Sequence, residues 1–310
     1  MSYSIDIISP RGVTARIYTE EGKRPIAISR TVLDKHLLDK GIAHGVKLIP
    51  ERVTNIKKKN NRWIICTKKH EKETPLLVGA DGVNSIVRKT VIGPIPKENL
   101  ALVVGCFAKK SKHHRDTFKY IKGIPGYAFL FRRGDDVSIG VGTHLKHSKD
   151  IKKRLDSFIE TYCPNTEIIS YWSHLVPYIT NPKFYDLPCT GDDWILIGDA
   201  AGHVDPLTAE GILYGLWGAE LAAKAILEGN PKKFDEYWHR EYGKELVGRC
   251  KQAEMNYNPL LLEISVRLAS KSRTFGKILH DLTQRELSIY DFNKEAIKKL
   301  PRITKEYFIG

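Results

Sequence analysis

The stretch 192–226, DDWILIGDAAGHVDPLTAEGILYGLWGAELAAKAI, constrains the fold more than any other part of the chain. An apolar run of strand character, WILIG, stops at Asp199. A polar bend containing Pro206 follows, and then a helix rich in Gly and Ala. In open α/β sheets, ligands gather beyond the carboxyl ends of the strands. At such an end the Asp199 carboxylate can accept hydrogen bonds from sugar or polyol hydroxyls. The helix adds unpaired backbone N–H groups and the positive end of its dipole. Within it, Gly211, Gly215, Gly218 and Ala222 recur at i, i+4, i+7 and i+11. This stripe, almost without side chains, admits a strand, a helix or a ligand at close range. Helix packing alone explains such a stripe; joined to the strand-end carboxylate, it reads as part of a ligand site.

A second apolar run, PLLVGADG, ends in the same way at Asp81-Gly82. Residues 13–28 alternate about a Glu-Glu-Gly-Lys turn, VTARIY then IAI, which reads as a hairpin. A helix is predicted from Ser29, with Leu33 and Leu37 on one face and Gly45 as its stop. VKLIP, RVTNI and RWIICT read as short strands. The middle third changes character: ALVVGCFA, GYAFLFRR, DVSIGVGTHL and TEIISYWSHLVP alternate as strands, with one helical stretch, SKDIKKRLDSFIETYC, among them. The pattern predicts an antiparallel sheet inserted between the Asp81 and Asp199 strands. Beyond Asn230-Pro231 the chain reads as helices. The expected fold class is α/β (α+β mixed). Residues 1–95 and 190–229 form one domain, 96–189 an antiparallel-sheet domain, and 230–310 a helical C-terminal region.

The 310 residues carry a formal charge of +14, a balance that suits an anionic ligand, an anionic membrane surface or nucleic acid. Nucleic acid comes last, because no basic stripe is interleaved with aromatics. The cluster His113-His114-Arg115 with Lys109-Lys110 suits a phosphorylated head group or a membrane surface, or is a solvated loop. The five cysteines are scattered, with no CxxC pair, which argues against a disulfide framework and a zinc site and fits a reducing compartment. No apolar run is long enough to span a bilayer, and SYSIDIISP lacks the pattern of a signal peptide. These features predict a cytoplasmic protein, touching a membrane only at its surface. P-loop, HExxH and GxSxG motifs are absent, and no metal is expected.

GDAAGHVDPLTAEGI (198–212) resembles the flavin-proximal GD motif of the p-hydroxybenzoate hydroxylase-like flavoproteins, and VGADGVNSIVRK (78–89) resembles their DG fingerprint. SRTVLDKHLLDKGIAHGVKL (29–48) is similar to the segment that places an arginine near their cofactor. PGYAFLF followed by SIGVGT is most similar to the geranylgeranyl reductases of that superfamily, which saturate isoprenoid chains. The resemblance runs along most of the chain and implies FAD as cofactor. It implies that Asp199, with Gly198, binds the ribityl chain, and that the backbone from Pro206 to Gly211 and Ile212 faces the pyrimidine side of the ring. Reduced flavin carries negative charge there, which a helix N-terminus stabilises. Asp81, Gly82 and Arg30 would lie near the pyrophosphate and ribose, while Arg88 supports the Asp81 turn.

The family's opening strand, G-x-G-x-x-G turn and helix are not in the sequence. Gly140 and Gly142 are followed by Leu145 and lie in the hairpin region. A unit of roughly 30 residues is thus missing from the pattern. The chain reads as an N-terminally shortened relative, with a unit supplied by another polypeptide and a degenerate fold as the alternatives. Absence of that unit predicts exposed sheet edge and apolar surface.

Tyr127, Phe129 and Phe131 alternate and so share one face of a strand. In the reductases this position carries Tyr-x-Trp-x-Phe-Pro facing the prenyl chain; here Phe129 replaces the tryptophan and Arg132 the proline. Core filling is the other reading of these rings. Saturating an isolated double bond takes a hydride and a proton; Tyr127 or water is the candidate acid. Cys106 and Cys189 read as small buried hydrophobes. The leading reading is an FAD-dependent reductase of isoprenoid lipids or prenyl diphosphates, with NAD(P)H or ferredoxin as donor. The alternatives are a flavin monooxygenase acting on an aromatic ring and a non-catalytic remnant or lipid-binding module.

Overall fold

The computed structural model describes residues 4–18, 27–109 and 115–309, with only the backbone of 254–256. The chain divides into two compact units, one formed by Met1–Ile28, Leu100–Leu175 and Lys251–Gly310, the other by Ser29–Asn99 and Val176–Cys250.

The first unit is built on seven strands: β1 (Ser4–Ile8), β2 (Thr14–Tyr18), β7 (Leu100–Lys109), β8 (Asp116–Tyr120), β9 (Gly126–Arg133), β10 (Asp136–His144) and β11 (Ile168–Pro177). Their order is β11-β7-β10-β9-β8-β1-β2. β10 lies antiparallel between β7 and β9, with Gly140 opposite Gly105 and Phe129. Period-two alternation sends Cys106, Ala128, Leu130 and Ile139 to one face, where the helix α3 (Ile151–Tyr162) covers them with Leu155 and Phe158. Tyr127, Phe129 and Phe131 are left on the other face. A second core joins Ala15 of β2 to four C-terminal helices: α7 (Pro259–Lys271), α8 (Arg273–Thr283), α9 (Phe292–Lys298) and α10 (Leu300–Ile309).

In the second unit, β6 (Leu77–Gly79) pairs in parallel with β12 (Trp194–Leu196), Gly79 opposite Leu196. The strands β3 (Asn55–Lys59), β4 (Arg62–Cys66) and β5 (Glu71–Thr74) form an antiparallel meander. The helices are α1 (Arg30–Ala43), α2 (Ile86–Val91), α4 (Ile212–Leu227), α5 (Lys233–Trp238) and the first part of α6 (Lys244–Asn256). No helix among the described residues is long and apolar enough to cross a membrane.

The mixed fold with an antiparallel middle sheet and C-terminal helices agrees with the sequence reading. Local expectations differ in several places. β2 pairs with β1, which in turn runs parallel to β8 and joins residues 4–18 to the large sheet, while Ala27 and Ile28, the described part of IAI, lie in no strand. β1 and β2 thus fall in the sheet unit, and residues 230–250 in the unit of the two aspartate turns. The turn expected at residues 20–23 lies outside the described residues. VKLIP is not a strand, since Val46, Leu48 and Ile49 stay exposed and no strand pairs with it. Charged EKET, in contrast, does pair, as β5. Gly45 does end the α1 region with φ +93°, but the Ser29 hydroxyl bonds Thr31 at 2.7 Å instead of capping the helix.

No residue of α1 is buried. Thr190 bridges the outer edge of β12, whereas the outer edge of β6 has no strand partner among the described residues.

Candidate cofactor site and aromatic sheet face

The parallel pairing of β6 with β12 brings the two aspartate turns side by side. The Ile197 N–H donates to the Gly79 carbonyl at 3.0 Å, continuing the ladder to the last residue before the GD turn. Gly79 is required by packing: a Cβ there would lie 2.7 Å from both Leu196 and Val87. Gly198 adopts φ +57°, which turns the chain so that residue 199 leaves the strand direction. Arg88, buried on α2, donates to the Ala200 carbonyl at 3.2 Å and stacks on Phe184 with its guanidinium 5.0 Å from the ring centre. It thus ties the DG helix to the GD turn, beyond the local support expected of it.

The two carboxylates do different work. Asp81 accepts from the backbone N–H groups of Ile86 at 2.7 Å and Val87 at 3.4 Å, and so supplements the N-cap Ser85, whose hydroxyl accepts from the Arg88 N–H at 2.8 Å, at the start of α2. Gly82 beside it has φ +78°. Asp199 is half-buried, and among the described residues its carboxylate accepts no hydrogen bond. Burial raises its pKa, partly offset by the positive charge of Arg30. The Arg30 guanidinium itself is engaged by Asp34 at 2.9 Å.

Asp199 lies against the start of α4. A Cβ on Gly211, the residue before the helix, would come within 2.6 Å of Asp199 Oδ1. No side chain caps that helix, so its first N–H groups point out beside the carboxylate, where Ile212 is exposed. Pro206 is buried in the connecting loop. The glycine stripe of α4 is filled by the protein's own chain. A Cβ on Gly198 would lie 3.2 Å from Gly215 Cα, and one on Gly218 would meet Ile197 at 3.7 Å. The stripe thus serves close packing of α4 on residues 197–199, and only its first member, Gly211, borders the carboxylate.

Several residues around this turn carried little sequence signal. Asp205 is wholly buried and pairs with the equally buried Arg249 on α6 at 3.0 Å. Its other oxygen accepts from the N–H groups of Leu207 and Thr208 at 2.7 and 3.2 Å. The pair therefore fixes the loop that leads into α4. Asp before Pro is a turn signal, but nothing in the local sequence points to Arg249. His203, also wholly buried, contacts Tyr242 at 3.0 Å and the Cys189 sulfur at 3.5 Å through its two ring nitrogens. Burial lowers its pKa to about 3 and pushes the Cys189 thiol and the Tyr242 phenol up, so all three are neutral. Cys106 is buried likewise, its pKa pushed up to about 11.

In the sheet unit the face opposite α3 is paved with rings. Tyr127 stacks on Phe118 at 4.2 Å, Phe129 on Phe131 at 5.1 Å, and Phe129 on Trp172 of β11 at 6.3 Å between ring centres. Two glycines let the rings lie flat. A Cβ on Gly140 would be 2.4 Å from the Phe129 ring, and one on Gly105 would be 2.3 Å from Trp172. Alternation on β9 disclosed three of these rings; Trp172 comes from β11, with β7 and β10 between it and β9, and has no neighbour in sequence to announce it. The basic cluster at 109–115 falls mostly outside the described residues.

No family model matches the chain. Over 233 residues it is 29% identical to an uncharacterised protein of Methanosarcina barkeri, covering 73% of this chain and 59% of that protein. It is 26% identical over 325 residues to the digeranylgeranylglycerophospholipid reductase of Methanococcus vannielii, covering 94% of this chain and 81% of that one. Among solved structures, a geranylgeranyl bacteriochlorophyll reductase-like protein of Thermoplasma acidophilum superposes with a TM-score of 0.76 at 17% identity, covering 98% of this chain and 81% of its own. Halogenase PltM, solved with phloroglucinol and FAD, gives 0.63 at 11% identity, with 95% and 69% covered. The chain is thus similar in sequence, over nearly its whole length, to a digeranylgeranylglycerophospholipid reductase, and it shares the fold of the geranylgeranyl bacteriochlorophyll reductase-like protein.

Proposed function

We propose that the chain is an FAD-dependent oxidoreductase that saturates carbon–carbon double bonds in isoprenoid chains of lipids or prenyl diphosphates. The observation that carries the cofactor half is the Asp199 carboxylate, half-buried and without a hydrogen bond among the described residues, at the uncapped start of α4. Those are the acceptor and donors that a ribityl chain and the polar edge of a flavin call for. Asp199, Gly198, Gly211 and Ile212 would hold the sugar-alcohol and ring end, with Arg30, Asp81 and Gly82 toward the pyrophosphate. Bound FAD, once reduced by the electron donor, would supply the hydride.

The chain's own part in the reduction is to bind an apolar chain, exclude water and deliver a proton to the carbon next to the one that receives hydride. The ring-paved face of the sheet, with Tyr127, Phe129 and Phe131, suits a flat, branched hydrocarbon, and Tyr127 is the proposed proton donor. The rings are apolar over most of that face, which favours a chain over the polar aromatic substrate of a monooxygenase. Incubating the FAD-loaded protein with dithionite and a digeranylgeranyl lipid should yield products heavier by whole multiples of H2. Rapid NADPH oxidation with oxygen uptake and no reduced lipid would contradict this reading and support a monooxygenase.

A further inference from the structure

The four C-terminal helices bury one side and leave another apolar side uncovered. Val266, Phe275, Ile278 and Ile303 pack into the core with Ala15. Across from them Leu260 is 62% exposed, Ile297 70% and Phe308 78%. A groove of about 360 Å³ opens on this side, lined by Leu268, Ile297, Leu300 and Phe308. Ile264 lies one helical turn before Leu268 on α7 and is exposed too, so the apolar strip continues along that helix. Exposed apolar surface of this extent marks an interaction face.

Charge identifies the partner. Between residues 292 and 309 there are five Lys or Arg residues against two glutamates. Lys299 and Arg302 are paired with Glu295 and Glu306. Lys294, Lys298 and Lys305 are exposed and make no ion pair among the described residues. Lysines bordering an apolar strip on short helices match the surface of an anionic bilayer: the apolar side chains enter the acyl boundary and the ammonium groups reach the head groups. A second copy of the chain is a poorer fit, because a two-fold contact would bring the same lysines together.

We propose that α7, α9 and α10 dock the protein on an anionic lipid surface through Leu260, Ile297, Leu300 and Phe308, with Lys294, Lys298 and Lys305 at the head groups. This docking is independent of flavin binding. It is tested by co-sedimentation of the full chain, without flavin or isoprenoid lipid, with vesicles of phosphatidylcholine alone or mixed with phosphatidylglycerol. The wild type binds the mixed vesicles and is released by salt. Lys298→Gln with Lys305→Gln weakens that binding about fivefold per lysine, the equivalent of about 1 kcal/mol each, and Ile297→Ser with Phe308→Ser abolishes it while circular dichroism is unchanged. Equal binding to both vesicle types, no binding at all, or variants that bind like the wild type would overturn the proposal. So would a dimer in sedimentation equilibrium that Phe308→Ser dissociates, which would assign the face to a second copy.

Discussion

Asp199 and His203 lie four residues apart, and burial moves their pKa values in opposite directions. The Asp199 pKa is raised, so the native state holds a proton more readily than the unfolded chain. Between the unfolded value of 3.8 and the raised value, stability therefore falls as pH rises, and at neutral pH the full cost of the buried charge is present. Asp199→Asn should accordingly raise the melting temperature of the flavin-free protein at pH 7. It should also weaken FAD binding roughly tenfold or more, as expected for losing a charged hydrogen-bond acceptor. Thermal melts and flavin-fluorescence titrations read the two effects, and a variant that lost both stability and flavin affinity would count against the free carboxylate. For His203 the sign is reversed. Its native pKa is lowered from 6.5 to about 3, so the unfolded state takes up the proton in that window. Stability is present above 6.5 and declines as the pH falls from 6.5 toward 3. His203→Gln should flatten that part of the stability–pH curve, measured by urea unfolding at stepped pH; an unchanged slope would place the acid sensitivity elsewhere.

At the scale of elements, two arrangements hold the working surfaces in place. The Asp205–Arg249 pair, with both side chains wholly buried, fixes the loop before α4. Arg249→Met should cost about 3–5 kcal/mol, because it strands a buried carboxylate, and adding Asp205→Asn should recover part of that loss in urea melts. On the sheet, Gly140 gives Phe129 its place. Gly140→Ala should destabilise by about 1–3 kcal/mol through overpacking, and Phe129→Ala in the same chain should offset much of it. Additive losses would show that the ring is not held by that contact. These two devices differ in how legible they were. The strands β7, β9 and β10 were readable because half-buried strands alternate with period two, and both aspartate turns because an apolar run that stops at Asp-Gly or Gly-Asp is a local signal. Arg249 lies 44 residues from Asp205, and Trp172 reaches Phe129 across neighbouring strands, so only tertiary structure pairs them. The glycine stripe was visible but ambiguous in sequence, and the distances from Gly198 and Ile197 assign it to packing.

Across the whole molecule, the two units carry separate halves of the proposed activity, an acceptor and helix terminus in one and a ring-paved sheet face in the other. The sequence reading grouped residues 1–95 with the aspartate turns, yet β1 and β2 pair into the sheet of the other unit. A parallel pairing such as β1 with β8 joins residues more than a hundred apart and leaves no local trace. The absence of a G-x-G-x-x-G turn was readable directly. In the structure α1 has no buried residue, and β6 has one edge without a strand partner among the described residues. These features make flavin retention the decisive question. The chain should be mixed with excess FAD, desalted, and its visible spectrum recorded against protein concentration, with Asp199→Asn in parallel. Close to one flavin retained per chain, and markedly less in the variant, is the expected result. A colourless wild-type protein, or equal flavin in both, would contradict the assignment of the Asp199 turn as the cofactor site.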